Sequence, residues 1–217
     1  MSKDILITDN RLNFSLSLAD FLRVQGLQVC ITADDTDVKN HTEDRVIGPI
    51  ITWNRASAFS AQSIPLQLKN IGADIASAVI VFDAPAYMHI YDGKDTLAAD
   101  TLITDLITAH FQLIAVFHRY FAQKNEGKLF FVHRDVPFAC GHAPLAAASG
   151  AFIRMAEETV LNMTNDEQSC MQTMLVKIEG EENALSVDWL STQIQSPLLN
   201  RTPGRWIKAG QRGLFSK

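Results

Sequence analysis

The chain has 217 residues, 47% hydrophobic and 20% charged, with a formal net charge of −5. That balance suits one sizeable globular core and is too short for two full domains. The acidic balance, with no basic run, argues against a nucleic-acid or anionic-membrane partner. Met1-Ser2-Lys3-Asp4 leads into a short strand, not a signal segment, so the expected setting is the cytoplasm.

Strand 1 is expected at about Asp4–Thr8, followed by a turn and an amphipathic helix from Leu16 to Gln25, which Gly26 stops. Strand 2 is Gln28–Thr32, and a polar stretch from Ala33 to Arg45 separates it from strand 3 at Pro49–Trp53. Ser57 can cap a helix to about Ile71, with Pro65 at a kink or turn. Strand 4, Ser77–Phe82, is a continuous apolar run suited to burial on both faces. A loop from Asp83 to Gly93 precedes a long helix over Leu97–Gln123. Strand 5 (Lys128–His133), a small-residue helix (Ala143–Met163) and strand 6 (Gln172–Ile178) follow. A short helix (Val187–Gln195) and a last strand (Arg205–Lys208) close the chain.

Strands alternating with helices from end to end predict one domain over residues 1–217. Its fold is α/β, a doubly wound Rossmann-like three-layer sandwich with a mostly parallel sheet of about seven strands. A ligand in such a sheet lies at the strand C-termini, near the switch between strands 1 and 4, which gathers Asp9, Asp83, His133 and Arg134 at one crevice mouth. The apolar stretches are broken by polar residues before membrane-spanning length, so no membrane is expected. Cys30, Cys140 and Cys170 read as free thiols. None of the six histidines has a metal-ligand spacing, so no metal is expected.

The order of elements resembles the short-chain dehydrogenase/reductase family over nearly the whole chain. Thr8 stands where that family's TGxxxGxG turn begins. Val81-Phe82-Asp83-Ala84 is similar to the NNAG segment after strand 4, and Gly127-Lys128-Leu129-Phe130-Phe131-Val132 to the opening of strand 5. Leu145 to Phe152 resembles the start of the YxxxK helix, and Thr202 to Gly210 the closing segment. The resemblance implies a nicotinamide coenzyme on the first turn, a Ser-Tyr-Lys catalytic set, and a four-helix subunit interface built by the long helix and the one after strand 5.

The departures fall on the functional positions. The three glycines of the turn map to Asp9, Asn13 and Ser15, the paired asparagines to Phe82 and Asp83, and the helix asparagine to Leu106. The catalytic Ser maps near Arg134, the Tyr to Leu145 and the Lys to Ser149. Side chains at the glycine positions fill the space of a diphosphate. Asp9 also adds like-charge repulsion, about 4 kcal/mol at ~4 Å and an effective dielectric near 20. Losing one general acid removes about 10²–10⁴-fold in rate, and here the acid, its activator and its partner are all replaced. No cofactor is therefore expected, and NAD(P) only if the chain is an oxidoreductase with a non-standard active site.

Other chemistry is sparse. Asp83, His133 and Arg134 are the crevice candidates, with His133 as acid or base oriented by Asp83, or Arg134 holding an anion; the alternative is a salt-bridge cluster at the loop edge. Asp34 and Asp35 follow strand 2, where an acid could meet a ribose. Tyr87-Met88-His89-Ile90-Tyr91 is unusually aromatic for a loop and reads as a lid or a ligand wall, or else as packing across a subunit interface or a plug in the empty cofactor site. The apolar arc of the long helix and the small residues of the next suit subunit pairing through residues 97–123 and 143–163, as a homodimer or with a related dehydrogenase-fold subunit. The expected function is a catalytically inactive interaction, regulatory or stabilising subunit. The alternatives are an atypical oxidoreductase and a small-molecule binding protein.

Overall fold

The structure is a computed structural model, and it describes residues 4–34, 48–91, 96–135, 142–165, 171–180, 184–199 and 204–210. Asp35, Cys140 and Cys170, singled out above, lie outside the described residues.

Seven parallel strands form one sheet in the order β3-β2-β1-β4-β5-β6-β7. They are β1 (Asp4–Ile7), β2 (Val29–Ala33), β3 (Ile50–Thr52), β4 (Ile75–Asp83), β5 (Gly127–Arg134), β6 (Met171–Ile178) and β7 (Trp206–Lys208). The order reverses between β1 and β4, so the switch point lies where the sequence placed it. The central strands are apolar on both faces because helices cover both. Val79, Ile80, Val81 and Phe82 of β4 are wholly buried, as are Phe130, Phe131 and Val132 of β5.

One helical layer holds α1 (Asn13–Val24) and α7 (Ala184–Gln195), which pack together and are bridged at their ends by Gln195 and Gln25. The other holds α2 (Ala58–Asn70), α3 (Ala84–Ile90), α4 (Thr96–Ile103), α5 (Ala109–Lys124) and α6 (Ala143–Asn165). Gly127 is required where α5 turns into β5: its φ is 140°, and a Cβ there would stand 2.1 Å from Phe121 Cδ1.

Four expectations need correction. α1 begins at Asn13, three residues early, because Leu12 and Phe14 bury their side chains and draw the first turn onto the sheet. The aromatic segment after β4 is helix α3, not loop. Asp83 caps it by accepting from the Ala86 amide at 3.1 Å, and Pro85 fits its first turn. The long helix is interrupted by a π-helical turn at Thr104–Thr108. The segment Ala99–Lys124 is also apolar and long enough to cross a membrane by composition alone, which the reading of broken apolar runs missed. In the fold it lies against the sheet, with Leu113, Ile114, Phe117 and Phe121 buried.

Candidate functional site

The switch point is built around one carboxylate. Asp9 follows β1 with φ 63°, the left-handed conformation that favours glycine and that Asp tolerates better than most residues. Its side chain is 0% exposed. Arg11, two residues on, folds back as a fork. Its Nε donates to Asp9 Oδ1 and its Nη2 to Asp9 Oδ2, both at 2.9 Å. The Tyr87 hydroxyl, on α3, donates to the same Oδ2 at 2.8 Å. Arg55, just past β3, places Nη2 2.8 Å from Oδ1 as an ionic contact without hydrogen-bond alignment, and stacks 4.9 Å from the Trp53 ring. The Asp9 amide donates to Thr32 Oγ1 at 2.9 Å. Burial alone would raise the Asp9 pKa. The Arg55 and Arg11 charges, with the bonds from Arg11 and Tyr87, outweigh it and hold the carboxyl well below its ordinary range.

The cluster extends outward. Arg11 Nη1 donates to the Tyr91 hydroxyl at 3.2 Å, and that hydroxyl donates to Asp105 Oδ2 at 2.8 Å. Asp105 sits on the π-helical turn, so the first turn, α3 and the long helix are tied at one point. Asp34, beyond β2, lies 3.8 Å from Arg55 Nη1 and thus neutralises a guanidinium. The repulsion expected from Asp9 is not the operative effect here, because two guanidinium groups surround it.

The other two turn positions have structural work. Ser15 is buried and its hydroxyl donates to the Thr8 carbonyl at 2.7 Å, while the Val81 amide donates to Thr8 Oγ1 at 2.9 Å, pinning β1 to β4. Asn13 is exposed at the start of α1.

Asp83, His133 and Arg134 share the ends of β4 and β5 but form two separate pairs. Asp83 and Arg134 are cross-strand partners, joined by Arg134 Nη1 donating to Asp83 Oδ2 at 3.2 Å. His133 pairs across the strands with Phe82, and its Nε2 lies 2.8 Å from Ser149 Oγ on α6. The orientation of His133 by Asp83 is not formed. His133 stacks against Phe82 at 5.7 Å and Phe152 at 6.1 Å, with Trp206 edge-on at 5.8 Å. Burial, only partly opposed by Asp135, lowers its pKa to about 4 and keeps it neutral.

The aromatic belt continues to β3. His110 on α5 stands edge-on to Trp53 at 5.7 Å and to Phe152 at 5.5 Å. It is fully buried, neither ring nitrogen has a well-aligned hydrogen-bond partner among the described residues, and burial lowers its pKa to about 4. Leu106 and Leu145, at the positions of the family's Asn and Tyr, are buried apolar residues.

Sequence reasoning missed Arg11, Arg55 and Asp105. Arg11 carried a readable signal, a cation two residues from an acid within one turn. Arg55 and Asp105 are brought in by the fold from 46 and 96 positions beyond Asp9, and no spacing reveals them.

No protein-family model matches the chain. It is 41% identical over 217 residues to an uncharacterized protein of Treponema pallidum (strain Nichols), covering 100% of this chain and 97% of that protein. Among solved structures it resembles a proposed 3-oxoacyl-reductase of Bacillus thuringiensis, with a TM-score of 0.69, 11% identity and 100% of both chains covered. It also resembles ElxO with NADP bound, at 0.68 and 11% identity over 97% of this chain and 98% of that one. A metagenomic short-chain oxidoreductase in complex with NADP follows, at 0.62 and 16% identity over 88% of each chain. At these identities the structural likeness speaks for fold alone. The chain thus has the Rossmann-like fold of short-chain dehydrogenases, and it belongs to one family with the Treponema pallidum protein.

Proposed function

We propose that this chain is a non-catalytic member of its fold, acting as an interaction, regulatory or stabilising subunit. The observation that carries the reading is the buried Asp9 carboxylate held by Arg11, Arg55 and Tyr87 at the switch point. In a nucleotide-binding turn, glycines let backbone amides approach a diphosphate. Here an internal anion already engages the guanidinium groups that could greet one. Freeing them would break a buried ion pair, a loss of about 3–5 kcal/mol when one partner goes. The residues present therefore do not fit a nicotinamide dinucleotide.

The catalytic positions support the same reading. Leu145 cannot donate a proton to a developing alkoxide, and Ser149 cannot act as an ammonium; its hydroxyl is engaged with His133. An oxidoreductase of altered mechanism would need Asp83, His133 and Arg134 to converge on open space. Instead Asp83 is tied to Arg134 and the cap of α3, and His133 is packed against both Phe82 and Phe152, which also touch each other.

The test is an equilibrium titration with NADH and NADPH, followed by coenzyme fluorescence and calorimetry. No saturable binding is expected up to the millimolar range, and micromolar binding of either would overturn the reading. As a subunit, the chain would meet its partner through the outer faces of α4–α5 and α6.

A further inference from the structure

Side chains of α2 cover the outer edge of β3. Backbone groups of successive strand residues face opposite sides. Pro49 and Trp53 turn theirs to β2: the Pro49 carbonyl accepts from the Ile31 amide at 3.1 Å, and the Trp53 amide donates to the Ala33 carbonyl at 2.8 Å. Thr52 and Asn54 therefore turn theirs outward, and β3 is the end of the sheet among the described residues. At an open edge such groups face water or pair with another chain. Here the chain itself engages them. The Thr52 amide donates to Gln67 Oε1 at 2.8 Å, and Gln67 Nε2 donates back to the Thr52 carbonyl at 2.9 Å. Two residues on, the Asn54 amide donates to Ser60 Oγ at 2.7 Å, and the Asn54 carbonyl accepts from the Ser57 amide at 3.1 Å.

We propose that the β3 edge is a strand-pairing surface for β3 of a second copy, and that Gln67 holds it shut. In an antiparallel pair, two facing residues exchange both of their N–H···O bonds. The Gln67 carboxamide carries one acceptor and one donor group and directs both to a single residue. It occupies Thr52 as a facing strand residue would. A second β3 laid antiparallel, with Thr52 opposite Thr52, would make the same two bonds about a two-fold axis. The carboxamide and the second copy thus compete for one pair of backbone atoms. Ile50, Ile51 and Thr52 are all β-branched, the composition that favours strand pairing once the edge is open.

The helix is built to present that amide. Ser60, Ser63 and Gln67 follow one another at spacings of three and four, so they share one face of α2. That face flanks the stripe of Ala61, Ile64 and Leu68, which is buried in the core. Gln67 Nε2 also donates to Ser63 Oγ at 2.9 Å, and the Ser63 hydroxyl donates to the Ser60 carbonyl at 2.8 Å. Both N–H bonds of the carboxamide are therefore engaged, and its nitrogen end is fixed toward the Thr52 carbonyl. A leucine at position 67 would pack here equally well and leave Thr52 open. The closed edge is independent of what binds at the switch point.

Hydrogen exchange resolved by residue in NMR on the full chain reads the edge. In the wild type the Thr52 amide should exchange at least tenfold more slowly than the same amide in an unstructured peptide. Gln67→Leu and Gln67→Ala both keep a good helix former. Each should raise the Thr52 rate at least tenfold, while the Trp53 amide, bonded to Ala33 inside the sheet, keeps its rate and reports an intact fold. Each should also sediment with at least twice the mass of the wild type at the same concentration. Adding Thr52→Pro removes the outward N–H without touching a bond to β2, and should return the mass to that of the wild type. A proline would not rescue a misfolded chain. The proposal is overturned by a wild-type Thr52 amide that exchanges like an unstructured one, or by Gln67 variants with unchanged Thr52 exchange or unchanged mass. A raised mass that survives Thr52→Pro overturns it as well. So does loss of Trp53 protection in both Gln67 variants, which would make Gln67 a residue of folding and not a guard of the edge.

Discussion

The Tyr87 hydroxyl donates to Asp9 Oδ2 at 2.8 Å across 78 positions of sequence, inside a site with no solvent exposure for either residue. Each depends on the other. The phenol needs an acceptor in the core, and the carboxylate needs every donor it has. Tyr87→Phe should therefore cost about 1–3 kcal/mol, the usual penalty for leaving a buried acceptor one donor short. Asp9→Asn should cost about 3–5 kcal/mol, because it takes from two buried guanidinium groups their nearest carboxylate. Urea unfolding monitored by circular dichroism gives both numbers, and an Asp9→Asn protein as stable as the parent would show that the cluster contributes nothing.

Asp9→Gly restores the glycine found at this place in nucleotide-binding turns, but it should not restore coenzyme binding, because Asn13 and Ser15 still stand at the other two glycine positions. It should instead leave Arg11 and Arg55 with only the more distant Asp105 and Asp34, at 3.9 and 3.8 Å, around a vacated carboxylate position. The variant should be destabilised, and sulfate or phosphate should raise its melting temperature more than the parent's. Differential scanning fluorimetry across an anion series at constant ionic strength tests this. Equal responses of the two proteins would mean that the guanidinium groups are not released.

Acid should unfold this protein early. His110 and His133 are held neutral in the fold with pKa values of about 4, against an ordinary value of 6.5. The unfolded chain therefore binds protons first, and stability is lost as pH falls from about 6.5 towards 4, by on the order of 3 kcal/mol for each histidine. Asp9 works in the same direction lower down: its depressed pKa contributes stability above the ordinary carboxylate range that disappears as pH falls through it. His110→Leu should flatten the pH dependence of the unfolding free energy by about one proton and raise the melting temperature at pH 5. An unchanged slope would mean that His110 is not buried as described.

Grafting the catalytic residues of the enzymes should fail. Leu145→Tyr with Ser149→Lys places a phenol and an ammonium into a buried, largely apolar wall beside Phe152 and breaks the His133–Ser149 bond. The double variant should lose about 2 kcal/mol or more of stability through overpacking and an unpaired charge. It should show no oxidation of NADPH with carbonyl substrates. Measurable turnover would mean that the crevice still accepts a coenzyme.

The fold was legible because it is written in periodicity. The alternation of runs such as Val79–Phe82 with helical patterns fixes a parallel sheet, and the strand order follows from the switch point. The site was legible only as a loss. Asp9 and Ser15 could be read as glycine positions filled by side chains, since that requires only local alignment. What fills the crevice could not be read, because Arg55, Tyr87 and Asp105 converge on Asp9 from three different elements. Tyr87 to Tyr91 showed its aromatic content but not its helix, since the Asp83 cap counts only once β4 is known to end there. The pairing of His133 with Ser149 was equally hidden, for two neutral polar residues 16 positions apart carry no charge signal.

The π-helical turn at Thr104–Thr108 holds one residue more than an α-helical turn of the same rise would. Removing a single residue there would straighten the helix. It would also rotate everything upstream by about 100° relative to α5, swinging the Asp105 side chain away from Tyr91 and unfastening Arg11. In any lineage that keeps the Asp9 cluster, this stretch should tolerate side-chain exchange at Ile107 far better than a one-codon deletion.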